Sequence, residues 1–328
     1  MLPFLPKIIL SLKSSWHQYQ SFIKIFIGFF LLGILFWRIP LPERIFSNLA
    51  DNFEWVIAVI FLYFIGILLS SLKLYMLLQC MGERISGKET VKAYYIGTFF
   101  NNFLPTTIGG DVVKLQYIRT SGIGGYTASA GIVMERATGL SAAMVMVGFV
   151  FLFGKGFTTQ IHLGDIRFYL AALIFVTLTI TWGACIWGGE KLQNKIKPLD
   201  NHVVTRVFER FLESLNLLVK QTRGLLTAFV ISLLFYLTLA VMISAAAISV
   251  QENVPLQYAI QMMPLIALVS ALPISIGGLG VLEGITTFCL IAVGIDPGHA
   301  FSIALLIRLC QWFHSGIGGL LYVFLTKI

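Results

Sequence analysis

A hydrophobic chain that interrupts its own helices has to shelter the broken backbone, and this chain interrupts itself twice in the same way. Residues 104–110 read LPTTIGG and residues 272–278 read LPISIGG, 168 positions apart in a chain of 328. Proline removes an amide donor and glycine frees the backbone, so each string leaves N–H and C=O groups without helical partners. At membrane depth such groups persist only where protein or a water-filled cavity surrounds them. Matching breaks in two halves of a chain point to a binding site near the bilayer midplane, as in transporters.

Composition requires the membrane. Hydrophobic residues make up 57% of the chain and charged residues 12%, with a mean hydropathy of +0.87. No water-soluble domain of this length tolerates such a surface. Lys7 and Lys13 precede an apolar run from Phe22 to Ile39, a pattern that imitates a signal peptide. The run ends in Trp37-Arg38-Ile39-Pro40 rather than at a small-x-small cleavage site, so an uncleaved first span is expected. Five further stretches, 54–79, 127–153, 168–188, 224–250 and 300–326, approach the ~20 residues that cross a bilayer. Segments 93–120 and 258–294 carry the breaks, and each is expected to return to the side it entered from, as a hairpin or as two short crossings. The expected fold is an all-α polytopic membrane protein, one transmembrane domain over 1–328, with about six full spans and two Pro/Gly-broken re-entrant segments.

Loop charges orient these spans. Sixteen Lys and Arg lie in the loops on the side of the N-terminus and four on the other, which predicts cytoplasmic N- and C-termini in a plasma (inner) membrane. Much of the net charge of +8 is therefore orientation and contact with anionic headgroups, and no nucleic-acid-binding module accompanies it. Half one (22–153) and half two (168–326) both read span, span, broken segment, span containing an Arg. Three full crossings per unit put the second copy in from the opposite side, so the repeat is expected to be inverted. The linker 189–223 carries Val203, Val204, Val207, Phe208, Phe211, Leu212, Leu215 and Leu218 at helical spacing and is expected to lie on the membrane as an amphipathic helix.

The polar residues in and after the breaks are the candidates for chemistry. Gly109, Gly110, Asp111 and Lys114 read as the start of a short helix, where free N–H groups and the dipole favour an anion such as a lipid phosphate. Asp111 is expected to cap that helix or to pair with a buried Arg. In the second copy Gly277 and Gly278 are followed by Leu279 and then, lower, by Glu283. Arg136 and Arg308 lie inside spans, where an Arg costs ~3 kcal/mol on insertion scales and so faces a partner or a wet cavity. Arg136, Arg308 and Lys114 are expected to balance the charge of a bound headgroup, with Glu135, Asp111 and Glu283 orienting them and Gly109, Gly110, Gly277 and Gly278 offering backbone N–H groups. Glu135 with Arg136, or Asp111 with Arg308, are the neutralising pairs of a purely structural alternative, and Gln311 and Ser315 share the Arg308 face. Asn101, Asn102, Thr106, Thr107 and Ser275 are placed to satisfy groups freed by Pro105 and Pro273, with headgroup binding as a second role for Asn102 and Ser275. Lys73 is expected to snorkel, and His314 to be a satisfied interior residue.

Catalytic signatures are sparse. No paired-Asp motif of membrane glycosyltransferases, Ser/His/Asp ordering, HExxH or Walker A string occurs. Cys80, Cys185, Cys289 and Cys310 show no CxxC spacing, and neither a disulfide framework nor a metal site nor a cofactor is expected.

Asn101-Asn102-Phe103-Leu104-Pro105 ahead of Gly109-Gly110-Asp111, Glu135-Arg136 in the next span, and Leu272-Pro273 through Gly277-Gly278-Leu279-Gly280-Val281-Leu282-Glu283 together resemble the lysylphosphatidylglycerol synthase transmembrane region, a flippase-like family. The resemblance covers nearly the whole chain. It implies movement of a phosphate-bearing lipid, an anionic phospholipid or a polyprenyl-type lipid, across the bilayer. The aminoacyl transferase domain that follows this region in the synthases is missing from the sequence, so their enzymatic activity is not expected. Lys114 stands where relatives often have Arg, which weakens bidentate recognition of phosphate. Two other classes stay open at this point. One is a membrane enzyme using Glu135, Asp111 or Glu283 as acid or base, and the other is a carrier of a small polar solute.

Overall fold

The computed structural model describes residues 23–24, 26–104, 109–153, 213–214, 216–218, 220–270, 272 and 274–325. Pro105, Thr106, Thr107, Pro273, the expected span 168–188 and the greater part of the 189–223 linker lie outside the described residues. Among the described residues all regular structure is helical, and the chain is an all-α polytopic membrane protein. Helix α1 (Phe26–Arg38) leads into α2 (Ile45–Asp51), α3 (Phe53–Cys80), α4 (Gly87–Phe103), α5 (Gly109–Thr120) and α6 (Gly125–Phe153). Then come α7 (Thr222–Ser249), α8 (Leu256–Ser270), a 3-10 turn (Ile276–Gly278), α9 (Val281–Ala292) and α10 (Pro297–Leu325). Four described helices, α3, α6, α7 and α10, are long and apolar enough to cross a membrane. They match the expected spans at 54–79, 127–153, 224–250 and 300–326, while the expected span at 22–39 is represented by the shorter α1.

Each broken segment folds as a pair of short helices packed on each other, α4 with α5 and α8 with α9. The first break follows from local stereochemistry. A residue before proline is pushed out of the helical region, and Leu104, preceding Pro105, is extended at φ −83°, ψ 143°. Twelve residues in α5 and twelve in α9 rise only ~18 Å. That is well short of a ~30 Å hydrocarbon core.

Helix lengths recur along the chain. α3 and α7 have 28 residues each, α4 and α8 have 17 and 15, α5 and α9 have 12 each, and α6 and α10 have 29 each. Gly109 to Val281 and Gly125 to Pro297 are both steps of 172 residues, against 168 between the two strings. Four additional residues, Leu279 to Leu282, thus stand between Gly278 and Glu283; Leu279 and Gly280 make a turn and Val281 and Leu282 open α9. Packing recurs as well: α4 lies on α10 as α8 lies on α6, and α3 lies on α6 as α7 lies on α10.

The two halves meet along α3 and α7, which run antiparallel. Cys80 at the end of α3 abuts Gly224 near the start of α7, Gly66 meets Phe235 at their midpoints, and the Lys73 ammonium donates to Ser232 Oγ at 3.1 Å. Repeat-related helices that pair antiparallel are exchanged by an axis perpendicular to them. A buried core of Val59, Ala240, Met262, Leu290, Ile303 and their neighbours joins α3, α7, α8, α9 and α10.

Small residues set the closest approaches. A Cβ on Gly318 of α10 would overlap the Tyr95 carbonyl of α4, and one on Gly319 would meet the Phe99 ring at 2.7 Å. Bringing two backbones this near is the usual role of glycine in membrane helix packing. Gly318→Ala is expected to lower stability by about 1–3 kcal/mol through overpacking, read as a lower thermal midpoint by circular dichroism in detergent. Gly316→Ala, where a Cβ meets open space, is expected to hold or slightly raise the midpoint, since alanine is the better helix former.

Candidate functional site

In half two, one guanidinium organises the break. Arg308 is buried within α10. Its Nε and Nη2 fork onto Glu283 at 2.5 and 3.1 Å, its Nη1 donates to the Gly277 carbonyl at 2.9 Å and to Gln311 Oε1 at 3.0 Å, and its Nη2 also donates to the Gly278 carbonyl at 3.0 Å. These contacts use all five N–H donors of an Arg side chain. Gly277 and Gly278 sit at φ 58° and 70°. That left-handed geometry, natural only for glycine, turns both carbonyls inward to the cation.

Half one repeats the pair with different neighbours. Arg136 Nε donates to Asp111 Oδ2, and this pair is separated by 25 residues, as Arg308 and Glu283 are. Lys114 reaches Glu135 at 2.9 Å and Asp111 at 3.3 Å and lies 4.3 Å over the Tyr94 ring. The Tyr94 hydroxyl donates to the other Glu135 oxygen. Asn101 Oδ1 accepts the Gly110 N–H at 3.0 Å, so the start of α5 is capped by protein. Gly109 and Gly110 are buried, and a Cβ on Gly110 would overlap the Gly97 carbonyl. Close approach at this glycine pair is therefore made by α4.

Three expectations need correction. Glu135 pairs with Lys114 rather than with Arg136, because consecutive residues on a helix point about 100° apart and only one can face a given partner. Asp111 pairs with Arg136 of its own half rather than with Arg308. Lys73 does not snorkel: it is 7% exposed, turned toward α7, bonded to Ser232 and near enough to Glu135 to feel its charge. His314 is satisfied as expected. Its Nε2 donates to the Ile60 carbonyl at 3.0 Å, and Nδ1 lies 3.2 Å from the Tyr95 hydroxyl.

Two spaces adjoin these clusters. A central cavity of about 380 Å³ lies where the halves meet, lined by Gly66, Tyr94, Phe235, Tyr236, Thr286 and Gln311 among mainly apolar neighbours. A groove of about 230 Å³ runs between α1, the end of α4, the 3-10 turn and α10, and includes Lys24, Asn102, Gly277, Arg308 and Trp312. Phe29, Phe103 and Trp312 along it are exposed. Gln311 lines the cavity and bonds two residues of the groove, and its amide orientation is dictated by chemistry. Arg308 can only donate, so Gln311 offers it the oxygen and gives its nitrogen to Asn102 Oδ1 at 2.9 Å. The Asn102 Nδ2 is then left buried without a partner. Ser275 Oγ is likewise buried and unpartnered, and its Cβ would lie 3.5 Å from a Cβ on Gly28, another residue of the groove.

The expected site residues therefore divide. Asn102, Gly277, Arg308 and, beside them, Ser275 and Glu283 gather at the groove, whereas Asp111, Lys114, Glu135 and Arg136 form a separate cluster in half one. Tyr94 and Lys24 were not singled out from sequence. The equal spacing of 25 residues from Asp111 to Arg136 and from Glu283 to Arg308 was the available signal for both ion pairs. Among the described residues no cluster of three or more His, Cys, Asp or Glu is placed to hold a metal.

The model of a family described as Lysylphosphatidylglycerol synthase TM region matches residues 21–319. The chain is 22% identical over 325 residues to the UPF0104 membrane protein PH1989 of Pyrococcus horikoshii, covering 92% of this chain and 96% of that protein. No solved structure matches.

Glu283→Ala is expected to cost about 3–5 kcal/mol by stranding the buried Arg308 charge. The double variant Glu283→Met, Arg308→Met is expected to recover a large part of that loss, as measured by thermal unfolding in detergent.

Proposed function

The chain belongs to the lysylphosphatidylglycerol synthase TM region family, and on that premise we propose that it is a lipid translocase or lipid-binding carrier moving a phosphate-bearing lipid across the inner membrane. The observation that carries this reading is the pair of buried, unpartnered groups, Asn102 Nδ2 and Ser275 Oγ, beside a groove with cations at Lys24 and Arg308. An unsatisfied buried donor costs ~1–3 kcal/mol, and a phosphate oxygen entering the groove would recover it. The ligand is an anionic phospholipid or a polyprenyl-type lipid, whose shared feature is that phosphate. Exposed Phe29, Phe103 and Trp312 give acyl or prenyl chains an apolar edge, so the headgroup travels in protein while the tails stay in the bilayer.

In this reading the short helix pairs α4–α5 and α8–α9 are re-entrant, because α5 and α9 are too short to cross. The termini are cytoplasmic, as the loop charges indicate. Gln311 lies between groove and central cavity, and movement of the antiparallel halves about their shared axis would expose the cavity to one leaflet and then the other. Arg308 would act on the headgroup through its field and through Gln311, since its own donors are committed. A catalytic role on a lipid-linked substrate for Glu135, Asp111 or Glu283 has less support, because none of these carboxylates lines the groove or the cavity.

The test is a proteoliposome assay with fluorescent phospholipids of several headgroups, read by probe accessibility to an external quencher. Protein-dependent transbilayer movement is expected. Asn102→Leu should slow it about tenfold, the worth of one hydrogen bond to a charged oxygen. Absence of protein-dependent movement with every headgroup would sink the reading.

A further inference from the structure

A continuous polar chain runs from the central cavity to the protein surface through half one alone. Tyr94 lines the cavity, its hydroxyl donates to Glu135, Lys114 bridges Glu135 and Asp111, and Asp111 accepts from Arg136. The Arg136 side chain is 50% exposed. Glu135, Lys114 and Asp111 between these ends are buried.

The repeat supplies an internal control for what the fold requires. By the 172-residue step Asp111 and Arg136 correspond to Glu283 and Arg308, so an acid–Arg pair is common to both halves. By the same step Lys114 corresponds to Thr286 and Glu135 to Ile307. By the 168-residue step of the two strings Tyr94 corresponds to Met262, and by the 169-residue step from α3 to α7 Lys73 corresponds to Met242. Half two thus builds the same helices with two methionines, a threonine and an isoleucine where half one buries two lysines, a glutamate and a tyrosine. Burying those groups is costly, and the architecture does not demand it.

We propose that this chain is a proton relay, making the protein a proton-coupled carrier. A proton arriving from the cavity binds the Tyr94 oxygen as Tyr94 passes its own proton to the Glu135 carboxylate. Lys114 then gives a proton to Asp111 and takes one from Glu135, which restores both. Asp111 releases its proton to water beside the half-exposed Arg136, so one proton passes from the cavity to the surface and every group returns to its starting state. The titratable or charged groups that face the relay are Lys73 of α3, Tyr94 of α4, Asp111 and Lys114 of α5, Arg136 of α6 itself and Tyr236 of α7, which donates to the Gly139 carbonyl. In α8 the one titratable residue is Tyr258, packed in the core with Ala259 and Met262.

The relay rests on the lipid-carrier reading only for the identity of the ligand that the proton accompanies. Its test uses the full chain in vesicles of phosphatidylcholine and phosphatidylglycerol that enclose a pH-sensitive dye, with the membrane potential clamped and the outside acidified. Fluorescent phosphatidylglycerol in the same vesicles reports lipid movement. Protein-dependent acidification is expected for the wild type and is expected to fall to the protein-free rate in Tyr94→Phe and in Lys114→Thr, Glu135→Ile, the double variant that copies half two. Helical circular dichroism and monodisperse elution check folding. Tyr94→Phe, which removes one oxygen, decides the matter should the double variant misfold. Wild-type acidification no faster than in empty vesicles, or variants as fast as wild type, would overturn the relay. Lipid movement without proton movement defeats the relay and leaves the lipid reading standing. Proton movement without lipid movement supports the relay and counts against the lipid reading.

Discussion

The fork between Arg308 and Glu283 is the contact on which the second break depends. A guanidinium inside a hydrocarbon-depth helix is unfavourable until each donor has an acceptor, and a helix interrupted by two left-handed glycines is unfavourable until its carbonyls have donors. Here the two deficits cancel: Gly277 and Gly278 supply the carbonyls, Glu283 the charge, and Gln311 the last acceptor. Saturation leaves Arg308 no N–H free to donate elsewhere. Its hydrogen bonds are spent inward, and its neighbour Asn102 is left holding the spare donor.

Half one meets the same structural need and then adds to it. Asp111 and Arg136 repeat the acid–Arg pair at the same separation, but Lys114, Glu135, Tyr94 and Lys73 surround it with further polar groups. The two acid–Arg pairs thus sit in different surroundings. The saturated copy shapes the groove and the turn through Gly280, whose left-handed backbone lets α1 pack directly on it. The charged copy connects the cavity to the surface.

Much of this was legible before any coordinates. Periodic apolar runs located α3, α6, α7 and α10, and Pro105 located the end of α4, because a pre-proline residue leaves the helix whatever its tertiary surroundings. Gathering Asn102, Gly277 and Arg308 in one groove was also foreseeable, since all three flank or follow the breaks. Partner choice was not. Glu135 and Arg136 are adjacent in sequence yet face different neighbours, and Lys73 is a snorkelling candidate by depth alone. Only the rotation of each helix decides whether such a side chain meets lipid, water or another helix. Tyr94 illustrates the same gap, because one more aromatic in a hydrophobic chain carries no signal until its hydroxyl is found against a carboxylate.

By itself the sequence determined an all-helical membrane protein with two helix-breaking strings at a fixed offset, because hydropathy and backbone stereochemistry act locally and need no knowledge of the fold. Tertiary structure decided how those strings are used. It paired each acid with the Arg 25 residues on, closed the first glycine pair against α4 and opened the second toward Arg308. It also left Asn102 and Ser275 unsatisfied beside one groove. These outcomes depend on which helix faces approach one another, and that is set by long-range packing between two halves of the chain.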